Sequence, residues 1–394
     1  MTALFDSRKG GAERRDRNEP AGSMEPMESP QYMRMSLAAA MTLGFQPSLF
    51  YRNARLYCIN LLLTYTTGCA AKCSYCGLSK IRPGTPSDKS FIRVAWPSYS
   101  LENIIQRIAE RRNGVKRICV SMLTDNRSVE DTRKVCSRLR SSFDIPVSLL
   151  VSPTVMVPGD LVAFRSAGAD KIGVAIDLAT PGLFDRCRGS GARGPHRWET
   201  YWRCLSDAVE LFGDGNAGAH FMVGMGETEK EMCEAIQGVR DLGGRTHLFS
   251  FFPEANSAMS DHPQPPMDQY RRIQLARFLI DGKVIRAEKF AFTAGGQIVD
   301  FGLSSDMLEK IIDSGEPFRT SGCAGYDGEV ACNRPYANSR PGPGIRNFPF
   351  HPNKKDILRI RKQMTRSGHK MKMREISKRA GSTCRIDPNG RDFR

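Results

Sequence analysis

From residue 55 onward, short apolar runs alternate with longer segments in which apolar residues recur every three or four positions. The short runs predict strands at Leu56–Leu63, Arg117–Met122, Pro146–Val151, Lys171–Ile176, Ala219–Val223 and His247–Phe252, each bounded by polar, Gly or Pro residues. The longer segments predict helices at Leu101–Arg112, Val129–Arg140, Gly159–Ser166, Arg197–Leu211, Glu229–Leu242 and Met267–Ile280. In the last of these, Ile273, Ala276 and Ile280, with Leu275 and Leu279, define a buried side. Repeated strand–helix units require a parallel sheet, and their number suits an open α/β barrel with its site at the C-terminal ends of the strands. A strand at Lys289–Thr293 and a helix at Asp306–Ile312 extend this body.

The ends of the chain read differently. Residues 1–34 are polar and without periodicity, which predicts disorder, and Met24, Met27, Met33 and Met35 are all candidate starts. Residues 35–317 form the barrel unit. Residues 318–353 turn to Gly, Pro, Asn and Cys, an irregular extension, and residues 354–394 form a basic tail that opens with a helix at Lys354–Thr365.

Composition changes the picture in two places. The chain of 394 residues is 40% apolar, enough for a packed core, and its net charge is +16. That charge is uneven: residues 1–36 hold six basic and six acidic residues, whereas residues 354–394 hold fourteen basic and four acidic ones. A basic tail either steers an acidic partner, protein or nucleic acid, or is a solvated appendage. No run is long enough to span a membrane. The apolar stretch 36–44 after Arg34 reads as a helix closing one end of the barrel rather than as a signal core. Twelve cysteines are scattered rather than framed as a disulfide scaffold, which predicts a reducing, cytoplasmic setting.

The chemistry is carried first by Cys69-Ala70-Ala71-Lys72-Cys73-Ser74-Tyr75-Cys76. Three thiolates at C-x-x-x-C-x-x-C spacing hold three irons of a [4Fe–4S] cube and leave the fourth open to another ligand. Zinc asks for four closed ligands, and no second C-x-x-C or His pair follows at zinc-finger spacing. The loop follows the first predicted strand, at the functional end of a barrel.

This motif, with Tyr75 before its last cysteine, resembles the radical S-adenosylmethionine (SAM) superfamily. The resemblance implies a partial (β/α)6 TIM-type barrel, a [4Fe–4S] cluster and SAM, whose reductive cleavage yields a 5′-deoxyadenosyl radical. It also implies an electron donor such as ferredoxin or flavodoxin. The segment His220–Glu227, with Gly224, Gly226 and Glu227, resembles the strand-five segment that contacts adenine in that family, although a plain strand-to-helix turn would also explain the two glycines. Asp177 lies where relatives place a polar residue for the SAM ribose or the substrate, and it also reads as a turn or cap aspartate. The family's Gly-Gly-Glu after strand two is absent, which leaves Ser121, Thr124 or Asp125 to replace the contact to the methionyl amine.

A second constellation lies in the irregular extension. Cys323 and Cys332 sit in a loop with little apolar surface to bury, so a second iron–sulfur cluster would organise it, while buried thiols are the plain alternative. Cys58 is the candidate third ligand, although it begins strand one, at the end opposite the Cys69 loop. Ser321 or an arginine could supply a non-thiolate ligand. The body, residues 50–350, most resembles the biotin-synthase-related group. Cys119 matches one strand cysteine of the biotin-synthase sulfur cluster, but Ser148 and His220 stand where further cysteines would be expected. That cluster is not preserved, and Cys119 reads as a small core residue.

The run Ser321-Gly322-Cys323 through Cys332-Asn333-Arg334-Pro335 to Arg340-Pro341-Gly342 resembles subunits of the two-component lipoyl synthase. That resemblance implies sulfur insertion into a protein-bound octanoyl chain, a second homologous subunit, and an acidic octanoylated carrier domain that a basic surface would attract. The rivals are another radical SAM reaction, such as tRNA thiolation or a biotin-synthase-like mutase or lyase, and a non-catalytic metal protein binding nucleic acid through its tail.

Overall fold

The structure is a computed structural model that describes residues 27–364 apart from Arg93 and residues 337–340. In chain order its strands are β1 (Tyr32–Met35), β2 (Cys58–Leu62), β3 (Ser98–Ser100), β4 (Arg117–Ser121), β5 (Val147–Val151), β6 (Ala169–Asp177), β7 (Ala217–Val223), β8 (Arg245–Ser250), β9 (Ala291–Phe292) and β10 (Ile298–Asp300). The helices are α1 (Leu37–Thr42), α2 (Leu101–Glu110), α3 (Ser128–Ser142), α4 (Asp160–Ser166), α5 (Pro181–Arg188), α6 (Trp198–Phe212), α7 (Glu229–Asp241), α8 (Met267–Asp281), α9 (Ser305–Ser314) and α10 (Lys354–Met364).

Eight strands form one sheet in the order β3-β1-β2-β4-β5-β6-β7-β8. The six strands from β2 to β8 are parallel, and each pairs with the next one laid down by a helical crossover. This is the α/β partial-barrel arrangement expected. Helix starts follow local chemistry: Ser100 accepts from the Asn103 amide at the head of α2, and Thr228 and Glu231 form a reciprocal capping box on α7. Between α7 and α8, Arg272 and Glu229 form a buried ion pair at 2.6 Å.

Two features of the chain differ from expectation, and its ends lie outside the described residues. The boundary of the disordered N-terminal segment at residue 34 falls inside β1, which pairs antiparallel with both β2 and β3. Residues 1–26 and 365–394, including most of the basic tail, lie outside the described residues. Helix α5 was not expected, although Thr180 caps it and Pro181 occupies its first turn; eight residues are too few to show a clear period.

The irregular extension packs at the N-terminal ends of the parallel strands and is tied there by polar bonds. Arg117, 2% exposed, holds Asp170 through two bonds of 2.6 and 2.7 Å and also donates to the Ala324 carbonyl. Lys116 pairs with Asp327, the Ser321 hydroxyl accepts from the Leu248 amide at 2.7 Å, and Asn333 donates to the Arg55 and Pro349 carbonyls. Gly322 is required by close approach: a Cβ there would lie 1.9 Å from the Cys332 carbonyl oxygen.

Candidate active site

Strand alternation sends every second residue to one face. On β2 that face carries Cys58, Asn60 and Leu62; on β4 it carries Cys119 and Ser121, with Asn60 and Cys119 in register. Leu62 and Ser121 border a cavity of about 190 Å³ at the C-terminal ends of the strands. Cys69, Cys73 and Cys76 border it as well, and its lining is mostly apolar.

The motif loop is held where the sequence places it. The Ala70 amide donates to the Thr124 carbonyl at 2.8 Å, and the Ser74 amide donates to the Cys187 carbonyl at 2.8 Å. Burial raises the Cys73 thiol to about 12 and pushes Cys76 well up. Thiols so buried ligate only by giving up their protons to a cationic centre that replaces them. Among the described residues, no three His, Cys, Asp or Glu side chains converge as a single metal ion requires. A cluster that offers each thiolate its own iron does not need that convergence. The three thiols border one cavity, as the ligands of a single iron–sulfur cube must.

Tyr75 and Asp177 come together: the phenol donates to Asp177 Oδ2 at 2.6 Å. Asp177 sits in the left-handed region at φ 68°, a conformation that few residues other than Gly, Asn and Asp accept. Its carboxylate also receives Arg188 at 2.8 Å. Arg188 continues to Tyr201 Oη at 3.0 Å, and Tyr201 lies 2.9 Å from His196 Nδ1. Burial, then the Arg188 charge, lowers His196 to about 2, so it stays neutral. Tyr75, Asp177, Arg188, Tyr201 and His196 form one continuous polar wall. Sequence reasoning missed the last three. The missed helix α5, which ends at Arg188, was the signal.

The segment expected near adenine closes on itself. Both Glu227 oxygens are taken by the amides of Gly224 and Met225, at 2.7 and 2.8 Å, and Gly224 at φ 99° packs against Pro265. Gly224, Gly226 and Glu227 do not border the cavity. Of the candidates for the methionyl contact, Ser121 and Thr124 line it, whereas Asp125 pairs with Arg127 at 3.2 Å outside it.

The second constellation assembles. Cys58, Cys119, Cys332 and Cys323 pack together, with Ala331 and Tyr57 around them. Cys58 does lie at the far end from the motif loop, and the C-terminal extension comes to meet it there. Cys119, expected as a small core residue, is buried within this group. The Ser321 hydroxyl accepts from the Leu248 amide. Arg334 Nε donates to Cys332 Sγ at 3.4 Å. Asn60 donates to both Cys58 and Cys332 at 3.5 Å, and Cys323 Sγ lies 3.7 Å from His247 Nε2. The Ser321 carbonyl can only accept, so His247 Nδ1 carries its hydrogen toward it at 2.7 Å.

The four thiols divide electrostatically. Burial, then contact with Cys332, raises Cys58; burial raises Cys119 to about 12. The bond from Cys58, with Arg334 beside it, holds Cys332 well below the usual thiol range. Burial opposes the ionisation of Cys323, but His247 and Arg117 outweigh it and lower that thiol. Four thiols with buried cations around them suit a multi-iron group whose ligands are thiolates.

Residues 63–238 match the radical SAM superfamily. No curated protein matches the chain. Among solved structures, TsrM from Kitasatospora setae, a radical S-adenosylmethionine methyltransferase with tryptophan substrate and a SAM analogue bound, is similar at 17% identity. That match covers 52% of this chain and 38% of TsrM, with a TM-score of 0.37, so the chain spans well under half of TsrM. HydG, a maturase of the [FeFe]-hydrogenase, is similar at 13% identity over 81% of this chain and 66% of its own, with a TM-score of 0.46. The chain carries a radical SAM superfamily domain over residues 63–238, and its cofactors are those of that family, a [4Fe–4S] cluster and SAM.

Proposed function

We propose that this radical SAM enzyme inserts sulfur into an unactivated aliphatic chain, as a subunit of a two-component lipoyl synthase acting on a protein-bound octanoyl group. One observation carries the reading: Arg334, which bonds Cys332 of the four-thiol group, also borders the apolar cavity of Cys69, Cys73 and Cys76. One cavity thus touches a radical centre and a candidate sulfur store. Cys69, Cys73 and Cys76 would hold the first cluster, and Cys58, Cys119, Cys323 and Cys332 an auxiliary one. When bound, the first cluster and SAM supply a hydrogen-abstracting radical, and the auxiliary cluster supplies sulfur.

The chain's own residues do the rest. Leu62, Leu150, Met222 and Phe249 give the cavity walls that suit an alkyl chain and exclude water. Asp177, fixed by Tyr75 and Arg188, presents an acceptor to a ligand hydroxyl on the polar wall. Ser121 and Thr124 offer hydroxyls near the motif loop. The second homologous subunit, the acidic carrier domain and a ferredoxin or flavodoxin donor belong to this proposal. The test is anaerobic incubation of the iron-loaded protein with SAM, reductant, its homologous subunit and an octanoylated carrier domain. Mass spectrometry should show carrier gaining sulfur; SAM cleavage with no sulfur gain would refute the lipoyl reading and leave the radical chemistry standing.

A further inference from the structure

The four-thiol group lies between two cavities. The first is the apolar one at the C-terminal ends of the strands. The second, about 690 Å³, opens at the N-terminal ends of β6, β7 and β8, where Lys171, Ala217, Gly218, Arg245 and Thr246 begin their strands. The irregular extension supplies its other wall, from Thr320 to Val330. Cys323 and His247 belong to this wall, whereas Cys58, Cys119 and Cys332 stand behind them.

The two cavities differ in kind. The second is rich in charge: Lys171, Arg245, Arg277 and Arg319 line it together with Asp214, Asp281, Glu316 and Asp327. Such a balanced lining favours water and small hydrated ions of either sign over an apolar ligand. Thr246 and Asp281, both on its lining and at most 6% exposed, each keep a buried side-chain oxygen without a hydrogen-bond partner. On the other side, Arg334 stands between Cys332 and the apolar cavity. Its guanidinium bonds Cys332 and lies 5.2 Å from the Phe249 ring centroid.

We propose that the second cavity is the loading port of the four-thiol group, through which iron ions and hydrosulfide reach Cys323 and the thiols behind it without crossing the radical cavity. The inference rests on the reading of these thiols as a cluster site. It gives that site a supply route independent of the cavity that SAM and an alkyl chain would fill. A group consumed as a sulfur source has to be replenished, and a separate polar mouth allows this with the radical side closed.

The test blocks the port from either wall without touching a cysteine, by Val330→Trp on the extension and, separately, by Val284→Trp across from it; both residues line the cavity. In the metal-free full chain, iodoacetamide labelling of Cys323, read by peptide mass spectrometry, should slow about ten-fold in either variant, because thiol reactivity follows access, while labelling of Cys69 stays unchanged. The second arm uses a chain in which Cys69, Cys73 and Cys76 are all Ala, so that absorbance reports the four-thiol group alone. Loading with an equal mixture of ferrous and ferric iron and with sulfide should slow by a similar factor when either Trp is added, while circular dichroism stays unaltered. Loading or labelling at an unchanged rate in a folded variant would overturn the port alone. No iron uptake by the triple-Ala chain would overturn the cluster reading, and the port with it.

Discussion

Arg188 is 4% exposed and carries the polar wall of the site, so removing its charge strands a neighbour. Its guanidinium bonds Asp177 at 2.8 Å, Tyr201 Oη at 3.0 Å, the Ile176 carbonyl at 3.3 Å and the Ala175 carbonyl. It also lies 4.6 Å from the Tyr201 ring centroid. Arg188→Met keeps most of the packed stem and loses every one of these bonds. Breaking a buried pair by removing one partner costs about 3–5 kcal/mol. The Asp177 side chain is 21% exposed and so retains some water, which places the cost near the lower bound, at about 3 kcal/mol. Asp177→Asn added to Arg188→Met removes the stranded charge while Tyr75 still has an oxygen to bond. The double variant should therefore be more stable than the sum of the single losses implies, by about 1 kcal/mol or more. Urea unfolding of the metal-free protein, followed by circular dichroism at neutral pH, measures all three. Losses that add to within about 0.5 kcal/mol would refute the coupling and with it the role of Arg188 as the counter-ion of Asp177.

The remaining expectations concern other parts of the molecule. His196, lowered to about 2, and His220, pushed well down by burial and then by His247, stay neutral in the fold but take up protons near pH 6.5 once unfolded. A depressed folded-state pKa means that stability is lost as pH falls, by about 1.4 kcal/mol per histidine between about pH 7.5 and about pH 5.5. His196→Gln should remove its share from the slope of unfolding free energy against pH, and an unchanged slope would contradict it. Arg272→Met leaves Glu229 charged and buried between α7 and α8, so it should cost about 3–5 kcal/mol in the same urea assay, and a loss under about 1 kcal/mol would be a failure. Cys119→Ala should lower the iron bound per chain, whereas Cys204→Ala, buried in α6 away from both thiol groups, should leave it unchanged; equal iron in both would remove Cys119 from the second group.

Much of this was legible in the chain. The six parallel strands and their crossover helices follow from apolar runs of two clear periods, with boundaries shifted by one or two residues. The motif loop is legible because three ligands lie within eight residues. What local pattern could not reach is contact made by topology. Cys58 and Cys332 are brought together only because the extension folds back beneath the barrel. Cys119 looks like core filler in an apolar run, and only the register with Asn60 shows that it shares a face with Cys58. Strand β1 hides in a polar segment because its partners, β2 and β3, supply its reason to be extended. Glycines at 224 and 226 are ambiguous in the sequence, because a local turn closed by Glu227 uses the same residues as a ligand loop.

The account turns on Cys69, Cys73 and Cys76 holding a cube with one iron left to SAM. Protein loaded with iron and sulfide under anaerobic conditions, then given dithionite and SAM, should release 5′-deoxyadenosine and methionine, and Cys73→Ala should release neither. A Cys73→Ala chain that still cleaves SAM, or a wild-type chain that carries the cluster and leaves SAM intact, would contradict it.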